Sequence, residues 1–176
     1  MKKALFLDRD GIINIDHGYV SRIDDFEFSQ DIIRLLHLFQ KEGYLFFIVT
    51  NQSGIGRGYY SEEDFQMLTD WMLKTFETQG ITITEVYHCP HAPDAKCGCR
   101  KPAIGMIENI DKKYRVELAN SWMIGDKQSD IDFARNAGIK KSISIGDRNI
   151  TQSDYHFDSI SACAAFLEEN PDIIKS

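Results

Sequence analysis

The sequence predicts an α/β fold, a parallel sheet of about five strands with helices on both faces. Three observations carry it. Short apolar runs alternate with stretches of helical spacing along the whole chain, and such alternation builds parallel crossover units. The first apolar run stops abruptly on Asp8-Arg9-Asp10-Gly11, where residues two apart on extended chain point to the same side. The chain has 176 residues, 43% hydrophobic and 27% charged, enough for one domain over 1–176 with a sizeable core and an ordinary globular composition.

The elements follow in order. Residues 4–7 read as a short buried strand. Ile32, Leu35, Leu36 and Phe39 recur at helical spacing and predict a helix over 31–42, ended by Gly43. The continuous apolar run 44–49 is typical of a strand covered on both faces. Ser61-Glu62-Glu63-Asp64 is a capped helix start, and Phe65, Leu68, Met72 and Phe76 carry that helix to Gly80. A third strand is expected at 85–88, a helix over 103–114, a fourth strand at 121–124 and a helix over 129–136 near Gly138. A fifth strand at 142–145 and a helix over 160–169 complete the pattern. The connection from Asp8 to Gln30 shows little regular pattern, and so long a loop in a compact domain is usually functional.

The net charge of −7 argues against a nucleic-acid partner, which needs a basic surface. No apolar run approaches the ~20 residues of a membrane span. The few residues between Met1-Lys2-Lys3 and Asp8 are too short for a signal-peptide core. The expectation is a cytoplasmic protein with no membrane partner and, lacking an exposed apolar helix, a monomer.

The carboxyl ends of the predicted strands collect the polar chemistry. They are Asp8-Arg9-Asp10, then Thr50-Asn51-Gln52-Ser53-Gly54, then a Cys/His segment running into Arg100-Lys101-Pro102, then Gly125-Asp126-Lys127 with Asp130 beyond. Open α/β sheets bind ligands at this edge. Carboxylates with Mg²⁺ suit hard oxygens, and an aspartate needs no base to act as a nucleophile. A cation shared by Asp8, Asp126 and a phosphate oxygen, together with Lys101, would relieve the repulsion between nucleophile and phosphate. The inventory therefore points to phosphoryl transfer.

The set Asp8-x-Asp10, Thr50, Lys101 and Gly125-Asp126-x-x-x-Asp130 resembles the four motifs of the haloacid dehalogenase superfamily, in order and over nearly the whole chain. The resemblance implies a Rossmann-like domain. It implies Asp8 as the nucleophile that forms an aspartyl-phosphate, and Asp10 as the acid that protonates the leaving oxygen and later activates water. Thr50 and Lys101 would hold the phosphoryl group. Asp8, the Asp10 carbonyl and Asp126 would ligate Mg²⁺, with Asp130 supporting the loop.

Cys89, His91, Cys97 and Cys99 place four soft ligands within residues 89–99. Three thiolates and an imidazole can close a tetrahedral zinc site, which leaves no open position and so makes the Zn²⁺ structural. Free thiols, or a disulfide under oxidation, are the other use of such a set. Cys99 directly precedes Arg100 and Lys101, so the metal would pin both cations over the phosphate. His88 would point the other way along its strand.

The gaps between motifs are too short for an inserted cap domain, so loops alone would grip a small substrate. Asn14-Ile15-Asp16-His17-Gly18-Tyr19-Val20, the run 51–59 with Arg57, and the zinc loop resemble the D-glycero-D-manno-heptose 1,7-bisphosphate 7-phosphatase family. That family makes nucleotide-activated heptose for bacterial lipopolysaccharide core. The resemblance implies that Arg57 and Arg100 bind a distal phosphate as bidentate partners. Asp16, His17 and Tyr19, with Gly18, would meet sugar hydroxyls. Asn51, Gln52 and Ser53 would line the site, and Lys127 would neutralise charge beside Asp126. Ile12 departs from the Thr or Val usual after Asp-x-Asp-Gly. The histidinol-phosphate phosphatase family shares the fold, motifs and zinc loop, and the short gap between His91 and Cys97 favours it. The cationic loops favour the bisphosphate, and the anomer of the sugar stays open. A non-catalytic module is disfavoured by the intact Asp8 and Asp10, and a kinase by the lack of a G-x-x-x-x-G-K-[ST] loop.

Overall fold

The computed structural model describes residues 1–175. Its elements are β1 (Ala4–Leu7), α1 (Ile32–Lys41), β2 (Leu45–Asn51), α2 (Ser53–Gly56), α3 (Glu62–Thr78) and β3 (Glu85–Cys89), followed by α4 (Gly105–Tyr114), β4 (Trp122–Gly125), α5 (Gln128–Ala137), β5 (Lys141–Ile145), β6 (Tyr155–Phe157) and α6 (Ile160–Glu169). The strands form one sheet in the order β3-β2-β1-β4-β5-β6, and every neighbouring pair is parallel. The order steps outward from β1 on one side, then returns to β4 on the other. The reversal opens a crevice at the carboxyl ends of β1 and β4.

Alternation along the strands sorts the core into two layers. Leu5 and Leu7 of β1, Phe46 and Ile48 of β2, and Trp122 and Ile124 of β4 face α1, α3 and α6. Phe6, Phe47, Val49 and Met123 face Met106, Ile107 and Ile110 of α4 and Phe133 and Ala134 of α5. Strands buried on both faces read as unbroken apolar runs, which is the pattern of β1 and β2. The start of α3 is fixed by a capping box: Asp64 N donates to Ser61 Oγ at 3.0 Å and Ser61 N to Asp64 Oδ2 at 2.9 Å.

Two elements differ from the sequence expectation. The sheet has six strands rather than five, because Tyr155–Phe157 pairs with β5 at the edge. Three residues carry too little alternation to read as a strand; tertiary packing of Tyr155 and Phe157 on Phe166 supplies what local pattern lacks. Ser53–Gly56 forms one helical turn where the glycines suggest only flexible loop. The segment after Asp10 is tied down by isolated bridges Asp10↔Asn14 and Asn14↔Phe28, and Ile12, Ile13 and Asn14 are buried. Between β1 and β2 lie this long loop, with a 3-10 turn at Ile23–Asp25, and α1; between β2 and β3 lie α2 and α3. No helix among the described residues is long and apolar enough to cross a membrane.

Candidate active site

Asp8 extends β1, its N–H donating to Ile124 O of β4 at 3.1 Å. Lys101 reaches it from the far side of the crevice. The Lys101 Nζ donates to Asp8 Oδ1 at 2.9 Å and to Asp130 Oδ1 at 2.6 Å, all three groups being buried. Burial alone would lower the lysine pKa, but Asp130 and Asp8 outweigh it and hold the ammonium charged. The other oxygen of Asp130 accepts from Asp126 N at 3.1 Å and Lys127 N at 3.2 Å. Asp130 therefore shapes the turn that carries Asp126 and keeps both of its oxygens occupied. Gly125 makes that turn possible, since a Cβ there would overlap the Asp130 side chain.

Asp8, Asp126 and Asp130 bring carboxylate oxygens within 4.8 Å of one another. Burial, then Asp130, lifts Asp8 to about 6, with Lys101 opposing. Burial, then Asp8, lifts Asp126 to about 7. The Oδ1 of Asp126 is buried without a hydrogen-bond partner. Gly11, at φ +93°, lies so close that a Cβ would run into the Asp126 carboxylate. Carboxylates forced together with an orphaned oxygen fit a hard divalent cation, so the donor set suits Mg²⁺.

These shifts carry a sign that can be measured. A carboxyl whose folded pKa lies above its unfolded value lowers stability as pH rises between the two. For Asp126 that window runs from the ordinary 3.8 to about 7. In magnesium-free buffer at pH 8, Asp126→Asn is expected to melt about 3–6 °C above the wild type. The gap should shrink towards zero near pH 4, where both proteins carry an uncharged group. Thermal scans at the two pH values check this, and an unchanged gap would assign the effect to packing.

Asp10 is held by three donors. Arg9 Nη2 at 2.9 Å and Asn14 Nδ2 at 3.0 Å bind its Oδ1, and Gln52 Nε2 at 3.0 Å binds Oδ2. Arg9 is fully buried between the Phe26 and Phe65 rings, each 5.9 Å away, and also donates to Val20 O at 2.7 Å. Thr50, at the end of β2, is buried, and its Oγ1 accepts from Gln52 Nε2 at 2.8 Å. Asn51 clamps the Lys101 backbone, accepting from Lys101 N at 2.9 Å and donating to Lys101 O at 3.3 Å.

A cleft of about 320 Å³ opens beside Asp10. Asp16, Gly18, Tyr19 and Ser53 line it, and Arg57, Arg100 and Lys127 bring three cations to its wall. It adjoins a small recess over Asp8, Lys101 and Asp130, and Asp10 and Lys127 border both. Arg100 Nη1 is buried with no partner, a donor ready for an anion. The structure thus brings nearly all of the expected loop residues to one mouth. His17 is the exception: its Nε2 turns to Glu27 at 3.4 Å, over a separate depression. The chain there runs through two consecutive positive φ values, 81° and 50°, and Gly18 and the exposed Tyr19 border both depressions, whereas His17 borders only its own.

Sequence reasoning missed several residues. Arg148 donates to Asp126 Oδ2 at 2.8 Å and to its carbonyl at 3.2 Å. The signal was present, since Arg148 follows β5 at the same sheet edge as the other strand ends. Arg9 and Tyr60 gave none: an arginine between two aspartates reads as exposed, and Tyr60 lies beyond the glycine run.

Cys89 closes β3, and the chain turns through Pro93–Ala95 and Lys96, at φ +53°, to bring Cys97 and Cys99 back. Cys89 Sγ lies 3.4 Å from His91 Nδ1, 3.5 Å from Cys97 Sγ and 2.7 Å from Cys99 Sγ. His91 Nδ1 is 3.3 Å from Cys99 Sγ. Four soft atoms converging on one point fit a tetrahedral zinc ion. His88 points away, bonded to Glu62 at 2.8 Å and stacked on Phe65. This loop is stapled to the next one: Gln52 N donates to Cys89 O and Gly56 N to Pro90 O, both at 2.8 Å. A Cβ on Gly56 would meet the backbone of Pro90 and Ala92.

Comparison with known proteins agrees with this geometry. A family model described as HAD-hyrolase-like matches residues 98–149. The chain is 48% identical over 149 residues to D-glycero-beta-D-manno-heptose-1,7-bisphosphate 7-phosphatase of Haemophilus ducreyi, covering 81% of this chain and 82% of that one. It is 50% identical over 145 residues to D-glycero-alpha-D-manno-heptose-1,7-bisphosphate 7-phosphatase of Campylobacter jejuni, covering 82% and 83%. Among solved structures, the D,D-heptose 1,7-bisphosphate phosphatase of B. bronchiseptica, complexed with magnesium and phosphate, superposes with a TM-score of 0.83 at 27% identity, covering 96% of this chain and 99% of that one.

Proposed function

This chain belongs to the D-glycero-D-manno-heptose-1,7-bisphosphate 7-phosphatase family, and from that premise we propose that it removes the 7-phosphate of the heptose bisphosphate, for nucleotide-heptose and lipopolysaccharide core synthesis. A carboxylate oxygen of Asp8 attacks phosphorus while the bond from phosphorus to the sugar oxygen breaks, and Asp10 gives its proton to that oxygen. Water then attacks the aspartyl-phosphate, Asp10 takes its proton, and Asp8 is regenerated as phosphate leaves. Lys101, fixed by Asp8 and Asp130, and the Thr50 hydroxyl hold the phosphoryl oxygens. Asp8, the Asp10 carbonyl and Asp126 would hold Mg²⁺, which when bound supplies positive charge against the repulsion between carboxylate and phosphate. Three thiol ligands in the zinc loop suit a reducing, cytoplasmic setting, and the enzyme is read as a monomer.

The observation that carries the bisphosphate reading is the buried, unpartnered Arg100 Nη1 at a cleft that Arg57 and Lys127 also line. A second phosphate remote from Asp8 would use these groups; a substrate with a cationic amine would not. The test is phosphate release with Mg²⁺ from both anomers of heptose 1,7-bisphosphate and from histidinol phosphate on one preparation. A heptose bisphosphate is expected to lead in kcat/KM by about 100-fold or more, and the better anomer identifies the product. Preference for histidinol phosphate would overturn the reading.

Arg100→Ala adds a sharper expectation. A charge-assisted bidentate contact contributes about 2–3 kcal/mol, so kcat/KM on the bisphosphate should fall about 30- to 150-fold. On heptose 7-phosphate, which lacks the distal group, the loss should be only a few-fold. Equal losses would mean that Arg100 serves the transferring phosphate.

A further inference from the structure

Oδ1 of Asp10 already accepts two hydrogen bonds, from Arg9 and Asn14. Oδ2 accepts one, from Gln52. A carboxyl oxygen offers two lone-pair positions, so the position left for a transferable proton is the second one on Oδ2. Gln52 thus selects where the acid of the reaction carries its proton. The amide spends its other N–H on Thr50 Oγ1 at 2.8 Å, and its Oε1 accepts from the Tyr60 hydroxyl. Gln52 thus borders the cleft with both of its amide protons already engaged.

An amide can also sit the other way round. Flipped, Gln52 would aim its Oε1 at the Asp10 carboxylate, two acceptors in contact, while Thr50 could adapt by donating its own proton. The damage of a flip therefore falls on Asp10. Tyr60 is what opposes it. Its hydroxyl donates to the Oε1 end; a flipped amide would leave that proton without this acceptor, and burial, which pushes the phenol up to about 12, keeps the proton on the oxygen throughout the working range. The ring is seated against Gly54, where a Cβ would overlap it.

We propose that Tyr60, acting through the Gln52 amide, is a positioning residue that aligns Asp10 for proton donation to the leaving sugar oxygen. This rests on the phosphatase mechanism above. The test compares Tyr60→Phe with wild type, both with Mg²⁺, on heptose 1,7-bisphosphate and on p-nitrophenyl phosphate. A sugar alkoxide needs the proton to leave, whereas p-nitrophenolate departs without it. The kcat/KM ratio of the two substrates also stops at the phosphoryl-transfer step that both share. General acid catalysis contributes about 10²–10⁴-fold, and misalignment forfeits part of it. The ratio is expected to move about tenfold against the sugar, with inhibition by inorganic phosphate little changed. An equal fall on both substrates, no fall on either, or a matching loss of phosphate affinity would overturn the proposal. In a Gln52→Leu background, which should show the same selective loss, Tyr60→Phe should add nothing; a further tenfold shift there would mean that Tyr60 acts by another route. If another alkyl phosphate proves the better substrate, the ratio is read with that ester, so a wrong sugar and a wrong role for Tyr60 give different results.

Discussion

Asp8→Asn is expected to abolish turnover on every phosphate ester, lowering kcat by about 10⁴-fold or more. An amide does not attack phosphorus and is a poor ligand for a hard cation. The loss should not be a folding defect. Lys101 keeps Asp130 at 2.6 Å, so no buried cation is left unpaired, the situation that makes broken buried ion pairs costly. The carboxylate also sits under strain, since burial and Asp130 lift it to about 6, above its ordinary 3.8. Through this group the folded state therefore gives up stability as pH rises from about 4 to 6, a loss that the asparagine variant does not suffer at this position. Its melting temperature at pH 8 without magnesium should equal or exceed that of the wild type. Residual activity at the percent level in well-folded Asp8→Asn would remove Asp8 from the nucleophile role.

The position of Asp8 also shows why the site is visible in sequence. Groups that converge at a sheet edge lie at strand ends, and strand ends are marked by the stop of an apolar run. Asp8, Thr50, Lys101 and Asp126 all follow such stops or the loop after one; the fold sets Asp8 and Lys101 in one recess, brings the Asp126 carboxylate beside Asp8 and places Thr50 at the end of the neighbouring β2. The helices were legible because each buries one face, as Ile32, Leu35, Leu36 and Phe39 do on α1. What stayed hidden depends on partners distant in sequence. β6 exists because β5 offers it an edge. The turn Ser53–Gly56 exists because Gly54 lets Tyr60 close over it and Gly56 meets the zinc loop. The direction of a loop side chain is equally unreadable: His17 and Tyr19 are neighbours in one polar run, yet one faces Glu27 and the other the cleft. Asn51, expected at the substrate, lines the cleft and the recess, but its further tie to the Lys101 backbone could not be read from its type.

Cys97→Ser should act on two loops at once. Cys97 closes the ligand set from the far side of the turn, 3.5 Å from Cys89, and a hydroxyl is a poor substitute for a thiolate on zinc. The variant is expected to purify without the zinc that the wild type retains. Structural zinc contributes about 10–16 kcal/mol of apparent binding energy in small domains, and the part felt by a single loop should lower the melting temperature by about 5–10 °C. The more telling effect lies in where the chain loosens. Arg100 and Lys101 follow Cys99 directly, while Gln52 and Gly56 hang on the carbonyls of Cys89 and Pro90. Hydrogen exchange should therefore rise over 51–58 as well as 89–101, and kcat/KM on the bisphosphate should fall about 100-fold because both loops proposed to grip phosphate lose their register. Exchange that rises only over 89–101 would show that the two loops are independent. A wild-type protein that contains no zinc under reducing conditions would end the structural-zinc assignment, and the four ligands would then have to be explained as free thiols beside an imidazole.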